Sequence, residues 1–247
     1  MKRIKPLMVL LLLVIASTAN NPSGANLREK PAHPADKIIM TIEGNPEELP
    51  GKELLQTALE GYELLKQEQP IRRQDVITII DYSLPSNQKR LWVLDLTEAK
   101  VLVHCLVSHG RNSGDVMAEK FSNHPGSYAS SPGFYITGET YQGKHGLSLR
   151  LQGVEDGIND KARERAIVIH GADYVSDRFI EQNGRLGRSL GCPAVPQELS
   201  GELIENIRDG SCLFVYTPSE SYLSKSPVLT RISRQHHDES QFIDARF

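Results

Sequence analysis

The sequence lacks the features that mark several classes of protein. Its 28 Lys and Arg residues are outnumbered by 31 Asp and Glu residues, so no basic excess indicates a nucleic-acid partner. It has no internal repeat, βαβ alternation or glycine-rich phosphate loop. The longest apolar run, from Leu7 to Ala16, holds 10 residues, whereas a membrane-spanning helix needs about 20. The remaining composition, 39% hydrophobic and 24% charged, is typical of a soluble globular protein.

The apolar run belongs to a pattern typical of a secretory signal peptide. Lys2, Arg3 and Lys5 precede it, and small residues follow it up to Ala19. We therefore predict a signal peptide over residues 1–19, with no permanent membrane span after cleavage; an uncleaved anchor is the weaker alternative. The mature protein is then expected in the periplasm or elsewhere in the extracytoplasmic cell envelope.

The sequence also has only three cysteines, Cys105, Cys192 and Cys212. An odd number in an exported chain leaves at least one thiol free or paired with another molecule. Cys105 and Cys212 lie in apolar, strand-like runs and are expected to pack in the core. A disulfide between these two stays open at this point. In an oxidising compartment a retained free thiol favours a functional role, which points to Cys192.

The order of apolar and polar segments predicts a mainly β domain with a few helices (α+β). Residues 20–50 are rich in Pro, Asn, Gly and charge, and predict a linker. Residues 51–70 carry apolar side chains at helical spacing, and predict an N-terminal helix that packs on the domain. Residues 218–247 are polar and predict a loosely held C-terminal tail. Short β-branched or apolar segments predict strands at 76–81, 91–96, 101–109, 134–140, 147–151, 166–170 and 212–217.

Capping and turn residues define three further segments. Residues 176–182 and 196–207 predict short helices, begun by Ser176 and Pro196. Residues 110–133 form a long stretch rich in Gly, Ser, Asn and Pro. Such a loop inside a compact domain is typically a binding or lid segment.

The densest cluster of reactive residues lies between Ala166 and Pro196. An apolar strand ends in His170-Gly171, which places an imidazole at the edge of a cleft. Downstream, small residues surround Cys192 and leave its sulfur accessible. A thiol nucleophile needs a base, donors for the oxyanion, and a group that orients the base. His170 is the candidate base, the N–H groups of Gly191 and Cys192 are the candidate donors, and a backbone carbonyl or Asp173 is the candidate orienting group.

These motifs resemble the L,D-transpeptidase (YkuD-type) catalytic domain family, nearest to its divergent murein L,D-transpeptidase branch. In that family a His-Gly pair ends a strand and a Ser-x-Gly-Cys turn follows, as His170-Gly171 and Ser189-Leu190-Gly191-Cys192 do here. One departure is Pro193-Ala194 after the Cys, where better-known members carry a hydrophobic residue and then Arg or Asn; this bears on substrate choice. The likeness extends over roughly residues 81–216 through Arg111-Asn112-Ser113-Gly114, Phe121-Ser122-Asn123, Gly126-Ser127, Ser130-Ser131-Pro132-Gly133-Phe134 and Gly187-Arg188-Ser189.

The resemblance implies an L,D-transpeptidase-like β-sandwich over residues 71–217, acting on peptidoglycan stem peptides as donor and acceptor. The Cys192 thiolate would attack the carbonyl of the L-centred bond of a diaminopimelate-type residue and expel D-Ala, with His170 carrying the proton. The acyl group would pass to the side-chain amine of a second stem or to water. No metal or organic cofactor is implied.

The candidate substrate-binding residues are Arg188, Ser189, Arg111 and Ser131. Arg188, like Arg185, flanks the nucleophile turn, and two roles stay open for it: binding a stem-peptide carboxylate in bidentate fashion, or lying solvated at the surface. Arg111 and Ser131 lie in motifs that are candidates to line the cleft. Weaker candidates, for which turn and surface roles are equally good explanations, are Tyr141, Lys144, His145 and Ser148.

Three alternatives stay open from the sequence. An L,D-carboxypeptidase or endopeptidase would use the same residues, because water and an amine compete for one acyl-enzyme. A non-catalytic module that binds wall peptides would be favoured if Cys192 were buried and unreactive. A zinc hydrolase built on His170, Asp173 and Cys192 is the least favoured, because no second His or Cys lies at close ligand spacing.

Overall fold

The computed structural model describes residues 49–244, with side chains up to residue 238. The predicted signal peptide and nearly all of the predicted linker lie outside these residues. Within this part of the chain, no helix is both long enough and apolar enough to cross a membrane.

The eight described strands form one continuous sheet in the order β3-β2-β1-β8-β4-β5-β6-β7. Neighbouring strands are antiparallel except for the parallel pairs β1–β8 and β6–β7. The mainly β fold with a few helices is therefore confirmed. The strands are β1 (Arg73–Asp81), β2 (Leu91–Asp95), β3 (Lys100–Cys105), β4 (Gly133–Gly143), β5 (Gly146–Gly153), β6 (Val168–Ala172), β7 (Ala194–Pro196) and β8 (Ser211–Tyr216).

Helices cover both faces of the sheet, and each face has its own hydrophobic core. The described helices are α1 (Lys52–Lys66), α2 (Asp177–Asn183), α3 (Ser200–Ile207), α4 (Glu220–Leu223) and α5 (Pro227–Asp244). Alternation along β1 sends Ile77 and Ile79 into the core beneath α1 and α5. Val76 and Ile80 point to the opposite face of the sheet and enter the core beneath α3.

Helix α1 packs closely on the sheet at Gly61. A β-carbon at this position would lie 2.1 Å from Cζ of Phe134. The Phe134 ring is itself stacked on Phe214, with ring centroids 4.1 Å apart. Only a glycine lets the helix backbone approach the ring this closely.

The prediction of a loosely held tail over residues 218–247 was wrong for the described part of that segment. It forms α4 and α5, and Tyr222, Val228 and Ile232 are buried in the core beneath α1. Buried Glu155 also holds the segment, because it accepts hydrogen bonds from Tyr222 Oη at 3.3 Å, from Ser226 Oγ and from the Phe134 N–H at 2.7 Å. A few spaced apolar side chains are enough to dock an otherwise polar helix.

The structure also answers the disulfide question. All three cysteines are free. Cys212 is buried in the core beneath α1, whereas Cys105 is buried in the core beneath α3. Because the sheet separates these two cores, Cys105 and Cys212 do not form a disulfide.

Candidate active site

A cavity of about 450 Å³ opens beside the candidate nucleophile. Residues from the turn between β4 and β5, from β6 and the residues just before it, and from the loop before β7 line this cavity. The lining residues are Tyr141, Lys144, His145, Ser148, Arg165, Ala166, Val168, His170, Tyr174, Arg188, Ser189, Leu190 and Cys192.

Strand register brings the candidate base and nucleophile to this cavity. His170 lies in β6, directly opposite Ser148 of β5 and Ala194 of β7. Cys192 is two residues before Ala194, so the β6–β7 pairing holds the nucleophile turn beside the imidazole. Residues 22 positions apart in sequence therefore line one cavity.

The His170 ring has a defined tautomer. Its Nδ1 lies 2.8 Å from the carbonyl oxygen of Gly171. Because a carbonyl only accepts hydrogen bonds, Nδ1 carries the proton and Nε2 keeps its lone pair. Of the two orienting groups that the sequence left open, the structure has the backbone carbonyl. Gly171 itself is packed tightly, since a β-carbon there would lie 2.7 Å from both Gln197 Oε1 and Ser200 Oγ.

The environment of His170 favours the neutral imidazole. Burial lowers its pKa below the ordinary value, and the electrostatic influence of the neighbouring His145 and Lys144 acts in the same direction. The hydrogen bond to Gly171 opposes them. The His145 ring is stacked on the His170 ring, with centroids 4.4 Å apart and an interplanar angle of 17°. At neutral pH the ring is therefore available as a proton acceptor.

Cys192 is the partly exposed cysteine, whereas the other two are buried. Its Sγ lies 3.8 Å from the carbonyl oxygen of Ala166, a weak hydrogen bond. Burial of the sulfur raises its pKa; the Val168 backbone hydrogen bond and the charges of Arg165 and Lys144 oppose this shift. The resting residue is consequently a thiol, which needs a base to become a nucleophile.

The nucleophile turn is closed by Ser189. Its Oγ donates to the Cys192 carbonyl at 2.6 Å and accepts from the Gly191 N–H at 3.0 Å. This differs from the predicted oxyanion role of the Gly191 N–H, because that donor already has a partner inside the turn. Gly191 has a φ of 124°, and a β-carbon there would lie 2.9 Å from the Ala129 carbonyl oxygen. The turn thus requires glycine at this position.

Arg188 lies at the cavity as predicted, but its guanidinium already has partners. One nitrogen donates to the Gly114 carbonyl at 2.9 Å and lies 3.1 Å from a carboxylate oxygen of Asp115. Arg185 pairs with the same carboxylate at 2.7 Å. A substrate carboxylate would therefore compete with the exposed carboxylate of Asp115.

Two of the predicted substrate-binding residues do not line the cavity. The Arg111 guanidinium lies 4.3 Å from the centre of the Tyr128 ring, a cation–π contact on the neighbouring loop. Ser131 is buried; its hydroxyl donates to the Ser122 carbonyl at 2.9 Å and accepts from Arg165 at 2.5 Å. Both residues hold the loop that precedes β4, and that loop contacts the nucleophile turn at Gly191.

Arg165 and Tyr174 also line the cavity, although no sequence motif had identified them. Burial, together with the nearby Cys192 sulfur, raises the pKa of Tyr174 to about 12, so its hydroxyl stays protonated. Tyr174 reaches this place because the facing residue is Gly187, where a β-carbon would lie 2.4 Å from Cβ of Tyr174. The only sequence signal was proximity: each residue flanks the strand that ends in His170.

No metal cluster competes for these residues in the described chain. Within residues 49–238, whose side chains the structure describes, no group of three or more His, Cys, Asp or Glu side chains is arranged to hold a metal ion. The alternative zinc ligand Asp173 is absent from the cavity lining.

A family model described as L,D-transpeptidase catalytic domain matches residues 48–216. No curated protein sequence matches the chain. Among solved structures, an L,D-transpeptidase from Mycobacterium smegmatis is 11% identical with a TM-score of 0.37, over 58% of this chain and 59% of its own. L,D-transpeptidase 3 from Mycobacterium tuberculosis is 12% identical with a TM-score of 0.37, over 58% and 61%. An L,D-transpeptidase from Xylanimonas cellulosilytica is 14% identical with a TM-score of 0.34, over 62% of this chain and 67% of its own. The matched region is thus less than two thirds of the length of the two mycobacterial structures.

Proposed function

The chain belongs to the L,D-transpeptidase catalytic domain family, and we propose that it is a cysteine acyl-transferase acting on peptidoglycan stem peptides. The observation that carries the proposal is the placement of Cys192 and His170 on one cavity. The Gly171 carbonyl holds the imidazole so that Nε2 is its unprotonated nitrogen. Cys192 is the nucleophile and His170 is the general base.

Acylation begins with transfer of the thiol proton to His170 Nε2. The sulfur then forms a bond to the carbonyl carbon of the L-centred bond of a diaminopimelate-type residue, and the carbonyl electron pair moves onto the oxygen. Because the Gly191 N–H is engaged by Ser189 Oγ, the N–H of Cys192 is the donor that the turn offers to this oxyanion. Collapse breaks the C–N bond, and the D-Ala amine leaves with the proton from His170.

Deacylation uses the same groups in reverse. His170 accepts a proton from the side-chain amine of a second stem peptide as that amine attacks the thioester, which gives a cross-link and restores the thiol. Attack by water instead gives an L,D-carboxypeptidase. The two outcomes share every step up to the acyl-enzyme, so the acceptor alone separates them.

The protonation states favour a general-base mechanism over a resting ion pair. Burial raises the pKa of Cys192 and lowers that of His170, so both groups are neutral before substrate binds. Charge therefore develops during the reaction, where oriented donors and fixed cations stabilise it most effectively.

We place this activity outside the cytoplasm, in the periplasm or the wider cell envelope. Support comes from the basic residues, short apolar run and small residues of the first 19 positions. Peptidoglycan cross-links form on that side of the membrane, so the proposed substrate and the proposed location agree.

A carbapenem tests the proposal by intact-mass analysis. Attack of the Cys192 thiolate on the β-lactam carbonyl opens the ring, and the protein gains the whole mass of the reagent as a thioester. We expect this adduct on the wild-type protein, and on the control variant Cys105→Ala, whose thiol is buried. We expect no adduct on Cys192→Ala.

Absence of the adduct from folded, reduced wild-type protein would contradict the enzyme proposal and favour a wall-peptide binding module. With an adduct, a stem tetrapeptide incubated with and without an acceptor amine then distinguishes transfer from hydrolysis. A cross-linked product indicates the transferase, and release of D-Ala with no cross-link indicates the carboxypeptidase.

A further inference from the structure

Arg165 connects the start of β6 to the loop that precedes β4. Its Nη1 donates to the Ser122 carbonyl at 2.7 Å and to Ser131 Oγ at 2.5 Å. Its Nη2 donates to the Ala129 carbonyl at 2.6 Å and to Ser127 Oγ at 3.2 Å. One guanidinium thus holds four points of a loop that has no regular secondary structure.

All four of these acceptors are neutral, so they do not compensate the charge of Arg165. Among the side chains described, those of residues 49–238, no carboxylate forms an ion pair with it, whereas Arg163 lies 2.7 Å from Glu139 and Arg188 lies 3.1 Å from Asp115. Partial burial lowers the pKa of Arg165, but the ordinary value is so high that the guanidinium stays charged.

This cation lies beside the nucleophile turn. It lines the cavity that holds the Cys192 sulfur, and a β-carbon on Gly191 would lie 3.4 Å from Arg165 Nη2. The Ala129 carbonyl, which Arg165 binds, is also the atom that such a β-carbon would strike at 2.9 Å. The guanidinium therefore packs against the nucleophile turn, and its positive charge acts on the Cys192 sulfur.

We propose that the uncompensated charge of Arg165 stabilises the Cys192 thiolate and the oxyanion formed from it, in addition to holding the supporting loop. The inference rests on the proposed function, and it assigns the electrostatic part of that mechanism to a residue outside the His-Cys pair. His170 is neutral before the reaction, so it supplies no positive charge to the resting thiol. Arg165 supplies one permanently, from a position fixed by four hydrogen bonds.

Other groups contribute to the potential in the cavity, and the test must separate them. Lys144 is exposed, on the turn between β4 and β5, and carries a second positive charge. The charge of Arg188 is shared with Asp115. The titratable or charged groups that line the cavity with Arg165 and Cys192 are Tyr141, Lys144, His145, His170, Tyr174 and Arg188.

The experiment compares alkylation of Cys192 by iodoacetate, which is anionic, and by iodoacetamide, which is neutral and similar in size. Both reagents react with the thiolate, so the ratio of their second-order rate constants cancels the thiolate fraction and reports the local potential. For Arg165→Gln we expect the ratio to fall about fivefold. The pH profile with iodoacetamide should also show the Cys192 pKa rising by about one unit.

Three further variants make the result specific to this charge. Arg165→Lys keeps the positive charge, so its iodoacetate-to-iodoacetamide rate ratio should stay close to the wild-type value. Arg163→Gln removes an exposed, paired arginine two positions away and should leave the ratio unchanged. Lys144→Gln should also keep an iodoacetate-to-iodoacetamide rate ratio close to the wild-type value. This variant tests the inference even if Arg165→Gln does not fold. A large fall of the ratio in Lys144→Gln would assign the positive potential at Cys192 to Lys144.

Two outcomes overturn the inference: an unchanged ratio in folded Arg165→Gln, or a lost ratio in Lys144→Gln. If both reagents react more slowly with Arg165→Gln by the same factor, their ratio is unchanged and the inference is overturned. That result would indicate a purely structural role, in which Arg165 affects access to the sulfur and not the potential around it. Failure of the proposed function is a separate result, since it appears as a wild-type Cys192 that no carbapenem acylates.

Discussion

Replacing Gly191 with alanine tests whether the geometry of the nucleophile turn sets the reactivity of Cys192. Its φ of 124° is a conformation that residues with a β-carbon rarely adopt, and holding alanine there costs about 1–3 kcal/mol. The new methyl group would also lie 2.9 Å from the Ala129 carbonyl oxygen, which Arg165 holds in place. The turn must shift to relieve both strains. A displacement of about 1 Å at a reacting atom lowers a rate about 100-fold, or about 2.7 kcal/mol of barrier.

The assay is the time course of carbapenem acylation followed by intact mass, with thermal unfolding of the same samples to verify the fold. Gly157→Ala is the matched control, because Gly157 has a φ of 74° but open space where a β-carbon would lie. We expect that control to lose about 1–2 kcal/mol of stability and to acylate at the wild-type rate. A folded Gly191→Ala protein that acylates within about threefold of wild type would refute the reasoning, because the strain would then be relieved without moving the sulfur.

Three further changes have defined outcomes. His145→Phe keeps a ring against His170 but removes a basic neighbour, so the pKa of His170 should rise. The acid limb of the pH profile for thiol alkylation should then move to higher pH. An unchanged profile would exclude His145 as a cause of the lowered His170 pKa. Gly61→Ala brings a methyl group to 2.1 Å from the Phe134 ring and should lower the free energy of unfolding by about 1–3 kcal/mol in urea titrations; full stability would mean that α1 can move outward. Glu155→Gln removes the charge from a buried group that accepts three hydrogen bonds, and should cost about 2–4 kcal/mol in the same titrations, whereas wild-type stability would mean that the carboxyl is already protonated.

Much of the architecture could be predicted from the sequence because the relevant signals are local. β-Branched and apolar runs separated by turn residues indicated the central strands, and the pattern at Val76–Ile80 alternates between the two cores as a strand should. A strand that ends in His170-Gly171 and a small-residue turn around Cys192 indicated a reactive pair, and the structure places both on one cavity. Each signal depends on the chemistry of a few adjacent residues.

The C-terminal segment could not be predicted in this way. Tyr222, Val228 and Ile232 are spaced among polar residues, and their burial depends on a surface that α1 and the sheet create together. Glu155 adds a polar anchor from a loop more than 60 positions earlier in the chain. Average polarity over the segment gave no indication of either contact.

The sequence alone determined which residue types could react, and the tertiary structure decided what surrounds them. Ser189 closes the turn and occupies the Gly191 N–H, and Arg165 brings an uncompensated charge to the cavity. These roles follow from strand register and from loops packed across many positions of sequence. A side chain's electrostatic effect depends on distance and on the other charges nearby, and neither quantity exists until the chain has folded.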